Sequence, residues 1–152
     1  MPARPGRVTS RPGRMVSGVV SLSDVEDMIA ALPEVTVGSK YGNNTWMVGG
    51  KGFAWERPFS KADIKRFADD PVPDGPILAV RVDDLGEKEA VLAMGQKGFF
   101  TIPHFNGYAA VLIQLKLATK KSVRVALEDG WLACAPRGLA ESYLAGRRTR
   151  SS

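Results

Sequence analysis

A histidine can act as a general base or metal ligand, and a cysteine as a nucleophile or ligand. This chain has one of each, His104 and Cys134. A metal centre needs several convergent ligands, more than one His and one Cys supply. No Ser or Cys stands in a recognisable nucleophile motif, and no acid is tied to His104 by sequence. His104 lies in Pro103-His104-Phe105-Asn106-Gly107. Pro103 fixes its own φ there, and Asn-Gly suits a turn through positive φ. Pro103, His104 and Gly107 are therefore read as structural turn residues, with the His104 ring bonding nearby backbone or a neighbouring side chain. Cys134 falls on an apolar helical face and reads as core. The expectation is a non-catalytic protein with no metal and no cofactor.

Two segments could hold a phosphate. Gly49-Gly50-Lys51-Gly52 has the glycines and lysine of a phosphate-cradling loop. A P-loop, however, needs Ser or Thr after the lysine and a helix to follow. Here Gly52 follows Lys51, and Phe53-Ala54-Trp55 reads as a strand, so a hairpin is expected with Lys51 at a solvated tip that can touch an anion. Lys120, Lys121 and Arg124 crowd the start of a helix, where cations oppose the helix macrodipole. Such a cluster reads equally as an anion-binding patch or as a solvated face. Trp46, Phe53, Trp55 and Phe59 offer a stacking platform, although a strand hairpin places most such rings in a core.

The elements that must position these groups follow from punctuation and periodicity. Ser23 with Glu26 is expected to cap a helix running to Leu32, where Pro33 stops it. Strands are expected at Val35–Ser39, Thr45–Val48, Phe53–Arg57 and Ile77–Val82. Ser60 with Asp63, and Asp84 with Glu87, cap two short helices between and after them. Phe99 to Leu115 holds the strongest strand signal. Val111, Ile113 and Leu115 fall on one face, with Leu112, Gln114 and Lys116 on the other, so one face should bury fully and the other in part. Val123, Leu127, Trp131 and Cys134 mark a helix starting near Thr119, and a last short helix spans Leu139–Leu144. Successive strands between terminal helices predict an α+β fold, a single antiparallel sheet of five or six strands with the first and last long helices on one face in two layers.

Charge divides the chain. It carries 21 basic and 16 acidic residues, a formal net charge of +5. Arg4, Arg7, Arg11 and Arg14 at one end and Arg147, Arg148 and Arg150 at the other lie in acid-free stretches. The 14 basic residues that remain between residues 15 and 146 face all 16 acids, a net charge of −2. Residues 1–20, with Arg-Pro-Gly-Arg repeated, read as a disordered basic tail, either a nucleic-acid-binding arm or a plain leader. Translation could start at Met1 or Met15. Residues 21–146 read as one domain and 147–152 as a basic tail. Hydrophobic content of 44% and charged content of 24% are those of a soluble globular chain. With one cysteine, no secretory signal and no membrane-length apolar run, a cytoplasmic setting is expected.

Several stretches together resemble the MmcQ/YjbR-like family. They are Tyr41-Gly42, then Val48-Gly49-Gly50-Lys51 leading into Phe53-Ala54, and Arg81-Val82-Asp83 followed by Glu87 to Leu92. They also include Phe99-Phe100-Thr101 with Pro103-His104, Gly107-Tyr108 and Ala110-Val111-Leu112, and Trp131 with Ala135-Pro136-Arg137. The resemblance spans residues 21–140. It departs at Asn106, where an acid is usual, at Ala109, where proline is usual, and at Gly138, where a second basic residue is usual. It implies a compact fold like that of secretion chaperones and CyaY-type proteins, and a DNA-binding role without catalytic residues. Lys120, Lys121, Arg124, Arg137 and Lys51 are then the nucleic-acid-binding candidates, acting mainly through phosphate contacts. The alternative is a chaperone-like domain that binds a protein or small ligand on its sheet face. Possible partners are thus DNA or a protein, not a membrane, with the chain a monomer or weak dimer.

Overall fold

Ser21 opens the ordered architecture. Its hydroxyl accepts from the backbone N–H of Asp24 at 3.1 Å, and the Asp24 carboxylate accepts from the Ser21 N–H at 3.0 Å. This reciprocal cap starts α1 (Leu22–Ala30) two residues before the expected Ser23. Ser21 wins through this reciprocal bonding with Asp24, and Val25 and Ile29 of the helix lie in the core. The computed structural model describes residues 19–40 and 42–151. Residues 1–18, Tyr41 and Ser152 lie outside that description, and with them most of the expected N-terminal tail. Val20, assigned to that tail by the boundary at residue 20, is a buried core residue.

Six strands form one sheet: β1 (Thr36–Lys40), β2 (Asn43–Val48), β3 (Lys51–Glu56), β4 (Ile77–Arg81), β5 (Phe99–Phe100) and β6 (Ala110–Gln114). Their order is β1-β2-β3-β4-β6-β5, and every neighbouring pair is antiparallel. The fold is thus α+β with a single antiparallel sheet. Between β2 and β3 the turn is Gly49-Gly50, because Val48 already pairs with Lys51. Four further helices complete the chain: α2 (Lys61–Phe67), α3 (Leu85–Ala93), α4 (Lys120–Cys134) and α5 (Arg137–Ser151). Ser60, Asp84 and Thr119 cap α2, α3 and α4 through their side-chain oxygens.

The main core lies between the sheet and helices α1 and α4. Val25, Ile29, Leu127 and Trp131 meet Val48, Phe53, Leu78, Val80, Ile113 and Leu115 there. Gly130 lets α4 approach closely, since a Cβ at that position would stand 2.8 Å from Val80 Cγ1 and 3.0 Å from the Arg81 carbonyl oxygen. Trp131 Nε1 donates to the Pro33 carbonyl at 3.0 Å, tying α4 to the chain that leaves α1.

A second, smaller core occupies the other face. Ile77, Ala79, Ala110 and Leu112 are covered there by Ile102 and Phe105, with Phe59, Phe67 of α2 and Phe100 packed around them. β6 is consequently buried on both faces, where the sequence pattern had one face only half buried. Gln114 tolerates this burial because its amide donates to the carbonyl and carboxylate oxygens of Asp74 at 3.0 and 3.1 Å.

The C-terminal expectation changes as well. α5 begins at Arg137, directly after Pro136, and runs without a break through the stretch read as a short helix and a basic tail. Glycine at 138 and 146 lowers helix propensity, but tertiary contact overrides it. The Tyr143 ring lies 4.9 Å from that of Trp131, and Arg147 pairs with Glu128 of α4.

Candidate functional site

The five basic candidates do not form one surface. Lys120, Lys121 and Arg124 stand at the N-terminal end of α4, whereas Arg137 follows its C-terminal end. Lys51 joins Arg137, because the hairpin packs against the α4–α5 junction: a Cβ on Gly49 would lie 2.9 Å from Pro136 Cδ. A helix of 15 residues separates the two groups by roughly 20 Å.

Acids accompany nearly all of these cations. Lys120 Nζ is 3.9 Å from Asp24 Oδ1. Lys120 and Arg124 line a depression that also holds Asp24, Asp27 and Glu128. Lys121 faces Asp83, Glu87 and Asp129 in a groove between α3 and α4. Arg137 is bonded to Glu141 at 3.2 Å, one helical turn on. The Asp24 carboxyl is held below its usual range by the Ser21 backbone N–H first, with Lys120 adding to the effect. Mixed charge of this kind is the solvated-face arrangement rather than a phosphate track.

The turn residues stand together. Pro103 opens a 3-10 helix (Pro103–Phe105) and Gly107 has φ +77°. Tyr108 N–H closes the turn on the Phe105 carbonyl at 3.0 Å. The expected ring bond of His104 is absent among the described residues. Its exposed imidazole instead tilts against Phe105 with centroids 6.1 Å apart. The group that holds this turn is Lys88 of α3, which sequence reading missed. Only 6% exposed, it donates to the carbonyl oxygens of Phe105 at 2.6 Å and Tyr108 at 2.9 Å. Burial lowers its pKa.

Around this turn the fold assembles an aromatic and guanidinium surface. Trp55 stacks on Phe105 with centroids 6.5 Å apart and lies 6.2 Å from Tyr108. Phe105 meets Tyr108 edge-on at 5.7 Å. The Arg57 guanidinium stands 5.6 Å from the Phe105 centroid, and that of Arg81 stands 5.4 Å from the Tyr108 centroid. The two arginines differ in kind. Arg57 is neutralised by Asp63 at 2.9 Å. Arg81 has no carboxylate partner among the described residues, and its Nε is sealed from solvent without an acceptor. A ring face supplies part of what a counter-ion would. Tyr108 remains 41% exposed. Of the four rings read as a stacking platform, Trp46 and Phe53 are core, while Trp55 and Phe59 flank this second face.

Cys134 is buried, with Sγ 3.9 Å from the Gly52 carbonyl oxygen, and burial pushes its thiol pKa up. Such a thiol is a packing group rather than a nucleophile. No helix among the described residues is long and apolar enough to cross a membrane.

The chain is similar to three proteins, the uncharacterized proteins Mb2600 of Mycobacterium bovis, and MT2646 and Rv2570 of Mycobacterium tuberculosis. Each is 37% identical to the chain over 125 residues, which cover 80% of this chain and 94% of the relative. No family model matches the chain, and no solved structure matches it. With that identity sustained over nearly the whole length of the relatives, the chain belongs to the family of these mycobacterial proteins.

Proposed function

We propose that the chain is a non-catalytic, nucleic-acid-associated protein of the MmcQ/YjbR-like kind, and that it holds single strands on the surface formed by Trp55, Tyr108 and Arg81. The carrying observation is the Arg81 guanidinium, lacking an acid among the described residues and set 5.4 Å over the exposed Tyr108 ring. A strand supplies what this surface lacks: a phosphate for the guanidinium and base faces for the rings. Duplex tracking by phosphate contacts alone would need many uncompensated cations. Lys120, Lys121, Arg124, Arg137 and Lys51 support it less well, being split between two ends of α4 and largely matched by acids.

The test is a fluorescence titration with an oligothymidine single strand and a random-sequence duplex. Trp46 and Trp131 are buried, so Trp55 is the reporter. Bound single strand should quench it. Base–aromatic stacking is worth about 1–3 kcal/mol per base, so Tyr108→Ala should weaken the single strand roughly 5- to 150-fold. Each phosphate contact adds about −0.7 to the slope of log K against log salt for a single strand. Arg81→Gln should therefore make that slope shallower by about this amount, whereas Tyr108→Ala should leave it unchanged. Tight duplex binding insensitive to both variants would refute the assignment.

The alternative of a partner-binding domain receives support from a different surface. The central strands are largely covered on both faces, and the part of the sheet face left to it is where Val80 and Val111 line the groove beside α4. The groove beside α4 is the surface that favours it.

A further inference from the structure

We infer that the groove between α3 and α4 is a docking site for a basic, aliphatic peptide segment of a partner protein. This inference stands apart from the nucleic-acid reading, since it uses the opposite face of the sheet and the opposite charge.

The groove has a volume of about 810 Å³. Val80, Val111 and Phe99 form its apolar floor, and Val91, Val125 and Leu132 its walls. The lips are apolar too. Met94, which follows the last residue of α3, is 68% exposed, and Val125 of α4 is 50% exposed. Large apolar side chains left open beside an apolar floor are the surface a partner covers.

Charge narrows the choice of partner. Asp83 and Glu87 stand on the α3 side and Asp129 on the α4 side, with Lys121 the single basic side chain among the lining residues. The Asp129 carboxyl is pushed above its usual range by burial first, then by Glu128 and by Glu87 across the groove, with Arg147 opposing. Like charges facing one another across an apolar channel favour a cationic occupant. The carboxylates do not gather around a point: no three metal-ligating side chains among the described residues are close enough to hold an ion.

Shape decides for a peptide over a small cation. The lining residues on α4 run from Thr119 to Ala133, which at 1.5 Å per residue is roughly 20 Å of groove. That length matches several turns of helix or a short extended segment, with aliphatic side chains toward the floor and Lys or Arg toward the rim.

The experiment is selection from a random peptide library displayed on phage, against the whole protein and against Glu87→Gln/Asp129→Asn, whose neutral side chains keep the shapes of the originals. Both proteins are first matched by circular dichroism and thermal melting. The proposal expects peptides enriched in Lys or Arg around aliphatic residues. Synthetic copies should bind at least tenfold more weakly to the double variant, and their amide shift perturbations should map to α3 and α4. Absence of enrichment, enriched peptides that are acidic, equal binding to both proteins, or perturbations centred on Trp55 and Tyr108 would each overturn it. So would octylammonium alone competing as well as the peptides.

Discussion

Lys88 Nζ lies 2.6 Å from the carbonyl oxygen of Phe105, and no carboxylate among the described residues pairs with this buried ammonium. The bond joins α3 to the turn that carries Tyr108, whose carbonyl takes a second proton at 2.9 Å. One side chain thus fixes the backbone under the aromatic surface. It does so at an electrostatic cost, because a buried cation with only dipoles for partners is disfavoured.

Lys88→Met keeps the apolar stem and removes both bonds. Each carbonyl oxygen keeps one backbone donor, Tyr108 N–H on Phe105 and Ala110 N–H on Tyr108, so losing the two ammonium bonds should lower stability by about 1–2 kcal/mol, read as a lower urea midpoint. The pH dependence carries a definite sign. Burial lowers the folded pKa of Lys88 below 10.5, so the folded state releases its proton before the unfolded state does. The contribution of Lys88 is then least favourable below its folded value and improves as pH rises toward 10.5. The stability gap between the native protein and Lys88→Met should widen across that window. A gap that stays constant there would mean that Lys88 is solvated, and one that narrows would mean that its ammonium is favoured by folding.

Asp63 predicts the acid limb. Burial by itself would raise its carboxyl, but the Ser60 backbone N–H, the Arg57 guanidinium and the Ser60 hydroxyl hold it below 3.8. A carboxyl depressed by folding contributes stability above its unfolded value, and that contribution is lost as pH falls through the folded value. Asp63→Asn should cost roughly 2–4 kcal/mol at neutral pH, since it strands Arg57 and weakens the α2 cap. The deficit relative to the native protein should shrink below pH 3.8. Melting curves of the two proteins across the acid range test both statements.

Gly130 tests the approach of α4 to the sheet. A methyl group there would meet Val80 Cγ1 at 2.8 Å and the carbonyl oxygens of Arg81 and Phe53 at 3.0 and 3.2 Å. Two of these three neighbours are strand backbone, which cannot rotate away. Although alanine is the better helix former, Gly130→Ala should destabilise by about 1–3 kcal/mol through overpacking. Unchanged or raised stability would mean that α4 can shift outward freely.

Much of this architecture was legible along the chain. The caps at Ser60 and Asp84, the helix start near Thr119 and the helical face of Val123, Leu127, Trp131 and Cys134 are local matters, decided within a few residues by hydrogen bonding and periodicity. The hairpin at Gly49-Gly50-Lys51-Gly52 and the antiparallel α+β arrangement were equally readable, because turn chemistry and element order constrain pairing, although strand pairing draws Lys51 and Gly52 out of the expected turn into β3. Of the misplaced boundaries, one is local and one tertiary. Ser21 displaces Ser23 as the cap because it and Asp24 satisfy each other's backbone donors, and α5 outruns its glycines because Tyr143 and Arg147 find Trp131 and Glu128 on α4.

The candidate sites were far less legible, for a physical reason. Charge is counted along a sequence but neutralised in space. The sequence determined that Lys120, Lys121 and Arg124 are neighbours; only the fold set Asp24 beside Lys120 and Asp83, Glu87 and Asp129 around Lys121. It likewise determined that Arg81 ends a strand and Tyr108 follows a turn. That the two meet beside Trp55 was decided by strand register, where Trp55 pairs with Ala79 and Arg81 with Ala110, and by Lys88 holding the turn in place. Such contacts join residues distant along the chain, and no local propensity encodes them.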